Sequence, residues 1–212
     1  MSIHILGYGS LMHIDSLHRT VPWVEAKDLR PVRVKGYKRL FNLASMRSFV
    51  AGDPKGQKVG VLNVEQSTEE ELGGIALPIR KEDLSALNQR EFLYRREEGI
   101  EAYDFFSGEK CEKIALYTAY TASELAKVNP RYYVQRVRTK GIDSTLQPSI
   151  LPDELYLSLC LQGAFSWGEV FGWHFMQTTY LGDGVTPLHR YLTTDEVAYR
   201  LNQDLRTYIQ NR

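Results

Sequence analysis

The first apolar run of this chain ends at a short segment, Tyr8-Gly9-Ser10-Leu11. Residues 3–6 predict a strand that stops at Gly7, and the residues after the segment can enter a helix. A strand–glycine–helix junction leaves consecutive backbone N–H groups without internal acceptors, and such groups favour an anion. The alternative is a plain tight turn in which glycine adopts a positive φ. The spacing alone leaves both interpretations open.

A second informative feature is a helix that begins near Lys81, where the apolar period changes from two to about 3.6. Four residues share one face of this predicted helix: Leu84, Leu87, Glu91 and Tyr94. Burying the Glu91 carboxylate on an apolar stripe is costly unless a partner or a reaction uses it. Glu91 is therefore either a functional carboxylate or the partner of Arg95 or of another arginine at the helix end.

The remaining patterns predict an α+β protein with a small mixed β-barrel or curled sheet and flanking helices. A strand with a bend at Gly36 is predicted over 32–44. Further strands are predicted over 59–64, 73–79, 94–106, 113–120 and 171–180, with a polar connector at 66–71. A helix is predicted over 152–163, and a Thr193-x-x-Glu196 capping box predicts an amphipathic C-terminal helix.

Composition narrows the classes of function. Lysine plus arginine (26) equals aspartate plus glutamate (26), which argues against nonspecific binding of nucleic acid or membrane. The basic segment 127–148 is accordingly interpreted as an exposed connection rather than a nucleic-acid patch. The sequence has no apolar run of 18 residues and no secretion signal, so we expect a cytoplasmic protein. Cys111 and Cys160 lack metal-ligand spacing and are expected to be reduced thiols.

Three motifs in order along the chain resemble the γ-glutamylcyclotransferase-like superfamily. They are YGSL at 8–11, LNQRE at 87–91 followed by Tyr94, and PDELY at 152–156 followed by Gly163-Ala164 and Gly168. The resemblance covers residues 1–168, with an insertion at about 127–148. Residues 169–212 are then expected to be a C-terminal extension packed on this domain.

The resemblance implies an enzyme that cyclises a γ-glutamyl group to 5-oxoproline and releases the attached amine. Glu91 matches the family's general acid/base, and a carboxylate in a dry cleft has a raised pKa that suits this task near neutral pH. The substrate-binding residues implied are Tyr8, Gly9, Ser10, Leu11 and Tyr156. No metal or organic cofactor is implied, and the partner is a small γ-glutamyl molecule.

Some features leave the function open. Asn88 stands where the family usually has aspartate. The leaving group is also unspecified, because glutathione, γ-glutamyl amino acids, γ-glutamylamines and an antibiotic precursor are all candidate substrates. The alternative from another class is a non-catalytic module that binds a γ-glutamyl compound or another small carboxylate. A thiol enzyme using Cys160 is a third interpretation, but this cysteine lies on an apolar helix face, which favours a buried structural thiol. The sequence does not distinguish a monomer from a homodimer.

Overall fold

A computed structural model of the chain describes residues 3–44, 59–134 and 145–194. Within these residues, eight strands join one curled sheet in the order β4-β6-β1-β3-β2-β5, with β7 beside β3 and β8 beside β2. The strands are β1 Ile3–Gly7, β2 Arg30–Ala44, β3 Val59–Ile79, β4 Tyr94–Ile100, β5 Tyr103–Asp104, β6 Ile114–Ala119, β7 Leu151–Pro152 and β8 Thr179–Leu181. The sheet is open, because β4 and β5 lie at opposite ends of its path. The curled sheet is confirmed, and the closed barrel is wrong.

The long hairpin of β2 and β3 is the largest part of the sheet. β3 runs without a break where we predicted two strands and a polar connector, so the connector at 66–71 is wrong. Its acidic residues face basic residues of β2, and Arg33–Glu71 forms an ion pair at 3.2 Å across the strands. The predicted bend is at Gly36, where φ is +83° and the strand register shifts.

β1 lies at the centre of the sheet and carries the first motif. It pairs antiparallel with β3 over its whole length and parallel with β6 at Ile5–Ala115. Ile5 and Leu6 are almost fully buried, so the strand is fixed on both edges and on its faces. The segment that follows Gly7 therefore leaves the sheet from a rigid position.

The described helices are α1 Ile14–His18, α2 Leu84–Arg90, α3 Ala122–Val128, α4 Pro130–Tyr132, α5 Glu154–Phe165, α6 Glu169–Gln177 and α7 Leu188–Thr194. The predicted strand over 171–180 is wrong for most of its length, because α6 occupies it and only β8 is extended. Phe171, Gly172, Phe175 and Met176 are its buried residues. This spacing follows a helical period, which the aromatic content of the segment concealed.

Two helix ends differ from the sequence prediction in ways that matter for the site. α2 ends at Arg90, Glu91 is its C-cap residue, and Tyr94 already begins β4. The single helical stripe from Leu84 to Tyr94 is therefore wrong. In α5, the Asp153 side chain accepts a hydrogen bond from the Tyr156 N–H at 2.9 Å, which caps the helix.

Several expectations fall wholly or partly outside the described residues. The capping box and most of the predicted C-terminal helix lie beyond residue 194, and the segment 127–148 is described only at its two ends. The division of the chain at Gly168 stays a prediction; after that residue, β8 pairs with β2. None of the helices in the described ranges has the length and apolar character needed to cross a membrane.

Candidate active site

The Tyr8–Leu11 segment forms a turn that leads from β1 into a short 3₁₀ helix, Ser10–Met12. The Met12 N–H donates to the Gly9 carbonyl oxygen at 2.9 Å, which closes the first turn of this helix. The N–H groups of Gly9, Ser10 and Leu11 lie before Met12 in the chain. None of the three has a hydrogen-bond acceptor among the residues that the structure describes. Three consecutive donors are therefore available to a ligand.

These residues line a narrow inner cavity of about 30 Å³. Its walls are Leu6, Tyr8, Gly9, Ser10, Leu11, Glu91, Tyr94, Tyr117 and Tyr156. All six site residues expected from the sequence are in this set, although they come from three separate parts of the chain. The other three lining residues, Leu6, Tyr94 and Tyr117, are not among the expected site residues. Tyr117 lies in an apolar β6 with no motif around it, so the sequence holds no signal for it.

Glu91 enters the cavity from the end of α2. Its side chain is only 16% exposed, and burial raises the pKa of its carboxyl group against the lowering effect of the Arg90 guanidinium. Arg90 Nε lies 3.2 Å from Glu91 Oε1. The ion-pair interpretation of Glu91 is therefore confirmed, with Arg90 as the partner at the helix end. The same carboxylate also lines the cavity, and its function in a reaction stays a prediction. Arg95 instead pairs with Glu97 and Glu124.

Arg90 connects Glu91 to the turn. Its Nη2 donates to Ser10 Oγ at 3.2 Å and to Ser16 Oγ at 3.0 Å, and its Nη1 donates to the Ser16 carbonyl oxygen at 2.6 Å. A planar guanidinium with several fixed acceptors holds one orientation. Arg90 is the last residue of α2, directly before Glu91, so its side chain reaches the turn from the end of the helix.

The hydroxyl groups of three cavity tyrosines are held by acceptors within the protein. Tyr8 Oη donates to the Tyr117 carbonyl oxygen and Tyr94 Oη to the Leu62 carbonyl oxygen, both at 2.6 Å. Tyr117 Oη donates to Asn88 Oδ1, also at 2.6 Å. Burial raises the pKa of all three phenols, so they are neutral near pH 7. Asn88, where the family pattern has aspartate, therefore anchors a wall of the cavity.

Tyr156 reaches the turn because α5 packs very closely against it. A Cβ atom on Gly9 would lie 2.5 Å from Tyr156 Oη, so the absent side chain makes room for the hydroxyl. One face of α5 also carries Gly163, whose missing Cβ would lie 2.9 Å from the His13 backbone nitrogen and 3.1 Å from the Met12 carbonyl carbon. The two glycines permit this contact between helix and turn.

A wider outer pocket of about 620 Å³ adjoins the inner cavity. The two share four lining residues: Ser10, Glu91, Tyr94 and Tyr156. The outer pocket combines apolar side chains such as Phe92 and Leu159 with the polar Arg19 and Asp153. The Glu91 carboxylate therefore stands at the boundary between a small polar recess and a larger mixed surface. No cluster of three metal-ligating side chains occurs within the described part of the chain.

Comparison with known proteins gives a structural likeness and no likeness in sequence. No family model matches the chain, and no curated protein sequence matches it. A solved structure named γ-glutamyl cyclotransferase aligns over 98% of this chain and 99% of its own, with a TM-score of 0.56 and 14% identity. The uncharacterized protein loc79017 from Homo sapiens aligns over 97% of this chain and 98% of its own, with a TM-score of 0.55 and 14% identity.

Both alignments extend over nearly the whole of each chain, and they include the curled sheet and the helices that surround the cavity. The structural alignments establish the architecture. At 14% identity they do not establish the chemistry, which has to be argued from the residues. The chain has the γ-glutamyl cyclotransferase-like fold.

Proposed function

We propose that this protein is a cofactor-free enzyme that cyclises the γ-glutamyl group of a γ-glutamyl amide or peptide to 5-oxoproline. The observation that carries the proposal is that one cavity is lined by Glu91 and by the three turn residues whose N–H groups have no acceptor in the described residues. The reaction needs an anion-binding element for the substrate's α-carboxylate and a base close to its α-amine. The cavity offers one of each.

The substrate's α-carboxylate is held by the N–H groups of Gly9, Ser10 and Leu11. Tyr8 shapes the wall of the recess, and the Tyr156 hydroxyl beside Gly9 offers a hydrogen bond to the substrate. The inner cavity has room for the small carboxylate end of a γ-glutamyl group, so the leaving group lies in the outer pocket. This arrangement places the scissile amide near Glu91.

Glu91 acts as the general base and then as the general acid. Its carboxylate takes a proton from the α-amine, whose nitrogen attacks the γ-carbonyl carbon and forms the lactam C–N bond. As the bond to the leaving nitrogen breaks, protonated Glu91 gives that nitrogen the proton. The reaction is intramolecular, so holding the chain in a folded conformation supplies much of the rate enhancement. The raised pKa of Glu91 brings the proton exchange closer to neutral pH.

The test is release of 5-oxoproline from a panel of γ-glutamyl peptides, γ-glutamyl amino acids and γ-glutamylamines. Wild type is compared with Glu91→Gln, and Glu97→Gln is the matched control. Glu97 is a partly buried carboxylate that bonds Tyr37 and Thr118 outside the cavity. We expect Glu91→Gln to lose about 10²- to 10⁴-fold in turnover and Glu97→Gln to remain active. Full activity of folded Glu91→Gln would refute the assignment of the base.

One observation favours a second function, a non-catalytic protein that binds a γ-glutamyl compound. The ion pair with Arg90 offsets part of the rise in the pKa of Glu91, so Glu91 is a weaker base than the same buried carboxylate would be without the arginine. Saturable binding of γ-glutamyl compounds with no 5-oxoproline from any member of the panel would identify such a protein. The preferred substrate, where turnover occurs, identifies the leaving group.

A further inference from the structure

Arg39 is a completely buried cation directly behind the turn. It lies in β2 with 0% exposure and is the first among the largest fully buried side chains. Its Nε donates to Thr179 Oγ1 at 2.7 Å, and its Nη1 donates to the carbonyl oxygens of Gly73 at 2.8 Å and Tyr8 at 3.2 Å. The guanidinium also stacks 4.0 Å from the centre of the Phe175 ring. Every one of these partners is neutral.

Within the described ranges, no carboxylate forms an ion pair with Arg39. An arginine keeps its proton even when buried, and burial here lowers the pKa of Arg39 only to about 9. Around the inner cavity the charges of Arg90 and Glu91 offset each other, and the lining tyrosines are neutral. The buried groups of the described ranges therefore carry one uncompensated positive charge, and a buried charge without a counter-ion is unfavourable.

The hydrogen bond from Arg39 to the Tyr8 carbonyl oxygen also acts on the turn itself. In a trans peptide unit the C=O and N–H point in opposite directions, so fixing the Tyr8 oxygen toward Arg39 aims the Gly9 N–H away from it. A cation at the carbonyl end polarises the peptide and strengthens its N–H as a donor. Gly9 is one of the residues that line the inner cavity.

We propose that Arg39 is a positioning residue that gives this cavity its selectivity for a carboxylate, by orienting the Tyr8–Gly9 peptide and by supplying the positive charge that a bound anion neutralises. This inference rests on the proposed function for the identity of the ligand. It concerns binding alone, so it is tested without turnover. Arg39 does not line the cavity and touches no reacting atom.

The experiment compares two probes that differ in one charge, 5-oxoproline and its uncharged carboxamide. Their dissociation constants are measured by calorimetry for wild type, Arg39→Gln and Arg39→Lys. Thr179→Val serves as the matched control, because it removes one acceptor of Arg39 and keeps the charge. The ratio of the two constants is the readout, since a general loosening of the fold weakens both probes equally.

We expect wild type and Thr179→Val to bind the acid more tightly than the carboxamide. In Arg39→Gln this preference should fall about tenfold, because the attraction between the arginine charge and the carboxylate is lost at the dielectric constant of a protein. Arg39→Lys keeps the charge and should keep the preference, while both probes bind more weakly. An unchanged ratio in folded Arg39→Gln, or no preference for the acid in wild type, overturns the proposal. If Arg39→Gln does not fold, loss of the preference in folded Arg39→Lys overturns it.

Taken together, these dissociation constants and the 5-oxoproline release assay separate this inference from the proposed function. A wild type that releases no 5-oxoproline but prefers the acid, with the preference lost in Arg39→Gln, supports the role of Arg39 and refutes the cyclotransferase. If wild type turns over γ-glutamyl compounds and the ratio of dissociation constants is unchanged in Arg39→Gln, the cyclotransferase is supported and the role of Arg39 is refuted.

Discussion

Glu91→Gln should make the folded protein more stable at neutral pH while it removes the proposed activity. Glu91 and Arg90 attract each other across 3.2 Å, a gross Coulomb term of about 5 kcal/mol at an effective dielectric constant of 20. The raised pKa of Glu91 means that loss of hydration exceeds this attraction, so the charged carboxylate has a net cost in the folded state. A neutral glutamine of similar shape avoids that cost.

The expected gain is about 1 kcal/mol at pH 8, the usual size of a stability gain at a functional site. In a chain of 212 residues this corresponds to a rise of roughly 2–4 °C in Tm. The gain depends on pH with a defined sign. The folded-state pKa of Glu91 lies above its unfolded value, so wild type loses stability as pH rises through the folded pKa. The advantage of Glu91→Gln should therefore grow in the same window and vanish below the ordinary pKa of 4.5.

The assay is urea denaturation of both proteins from pH 4 to pH 8, followed by circular dichroism, with Glu97→Gln measured in parallel. The control should be destabilised, because glutamine has one acceptor oxygen where Glu97 uses two, one for Tyr37 and one for Thr118. A Glu91→Gln protein that is less stable than wild type at pH 8, or whose advantage increases on acidification, would refute this account of the site.

Three further predictions follow from contacts around the cavity. Arg90→Gln removes the group that lowers the pKa of Glu91, so the acid limb of the pH profile of kcat/KM should move to higher pH. Arg90→Lys should move this limb less. A shift of the limb to lower pH in Arg90→Gln would contradict the pairing of Arg90 with Glu91. Gly163→Ala should destabilise the protein by about 1–3 kcal/mol and lower kcat/KM, because the added Cβ meets the backbone that follows the turn. The control is Gly172→Ala, whose added Cβ meets the Phe165 ring instead. It should lose a similar amount of stability in denaturation, with KM unchanged. After treatment with iodoacetamide at pH 8, mass spectrometry should find Cys160 unmodified, and 5-oxoproline release should be intact. The reason is that this residue is 0% exposed and burial raises the pKa of its thiol to about 12. Loss of activity together with labelling of Cys160 would support the thiol mechanism instead.

The sequence was most informative where a local motif determines local structure. The turn after β1 and the helix that carries Tyr156 could be predicted because glycine placement and an Asp153 cap act over a few residues. The spatial meeting of that turn with Glu91 followed only from the family resemblance. Nothing in residues 8–11 or 87–91 by themselves indicates which parts of the chain come together.

Tertiary contacts explain the errors. The acidic stretch 66–71 has poor strand propensity, yet it is extended. Contacts with β2 support it: Glu71 lies opposite Lys35, and Glu70 lies 3.8 Å from Lys38. The aromatic stretch at 171–177 has good strand propensity, yet it is helical because its apolar residues fit one face against the core. The burial of Arg39 has no signal in the sequence for a related reason: it depends on carbonyl oxygens of the turn after β1 and of β3, which meet only in the folded chain.

The place of β1 between β3 and β6 has a consequence for how the protein is made. Ile5 pairs with Ala115, so during synthesis more than a hundred residues must follow β1 before its second edge is covered. Tyr156 arrives later still. Folding that depends on such distant pairings is slow, because long loops must close before the contacts are gained. An incomplete nascent chain that ends before α5 would thus present the turn without its full cavity, and the proposed activity would begin only after most of the chain has been synthesised.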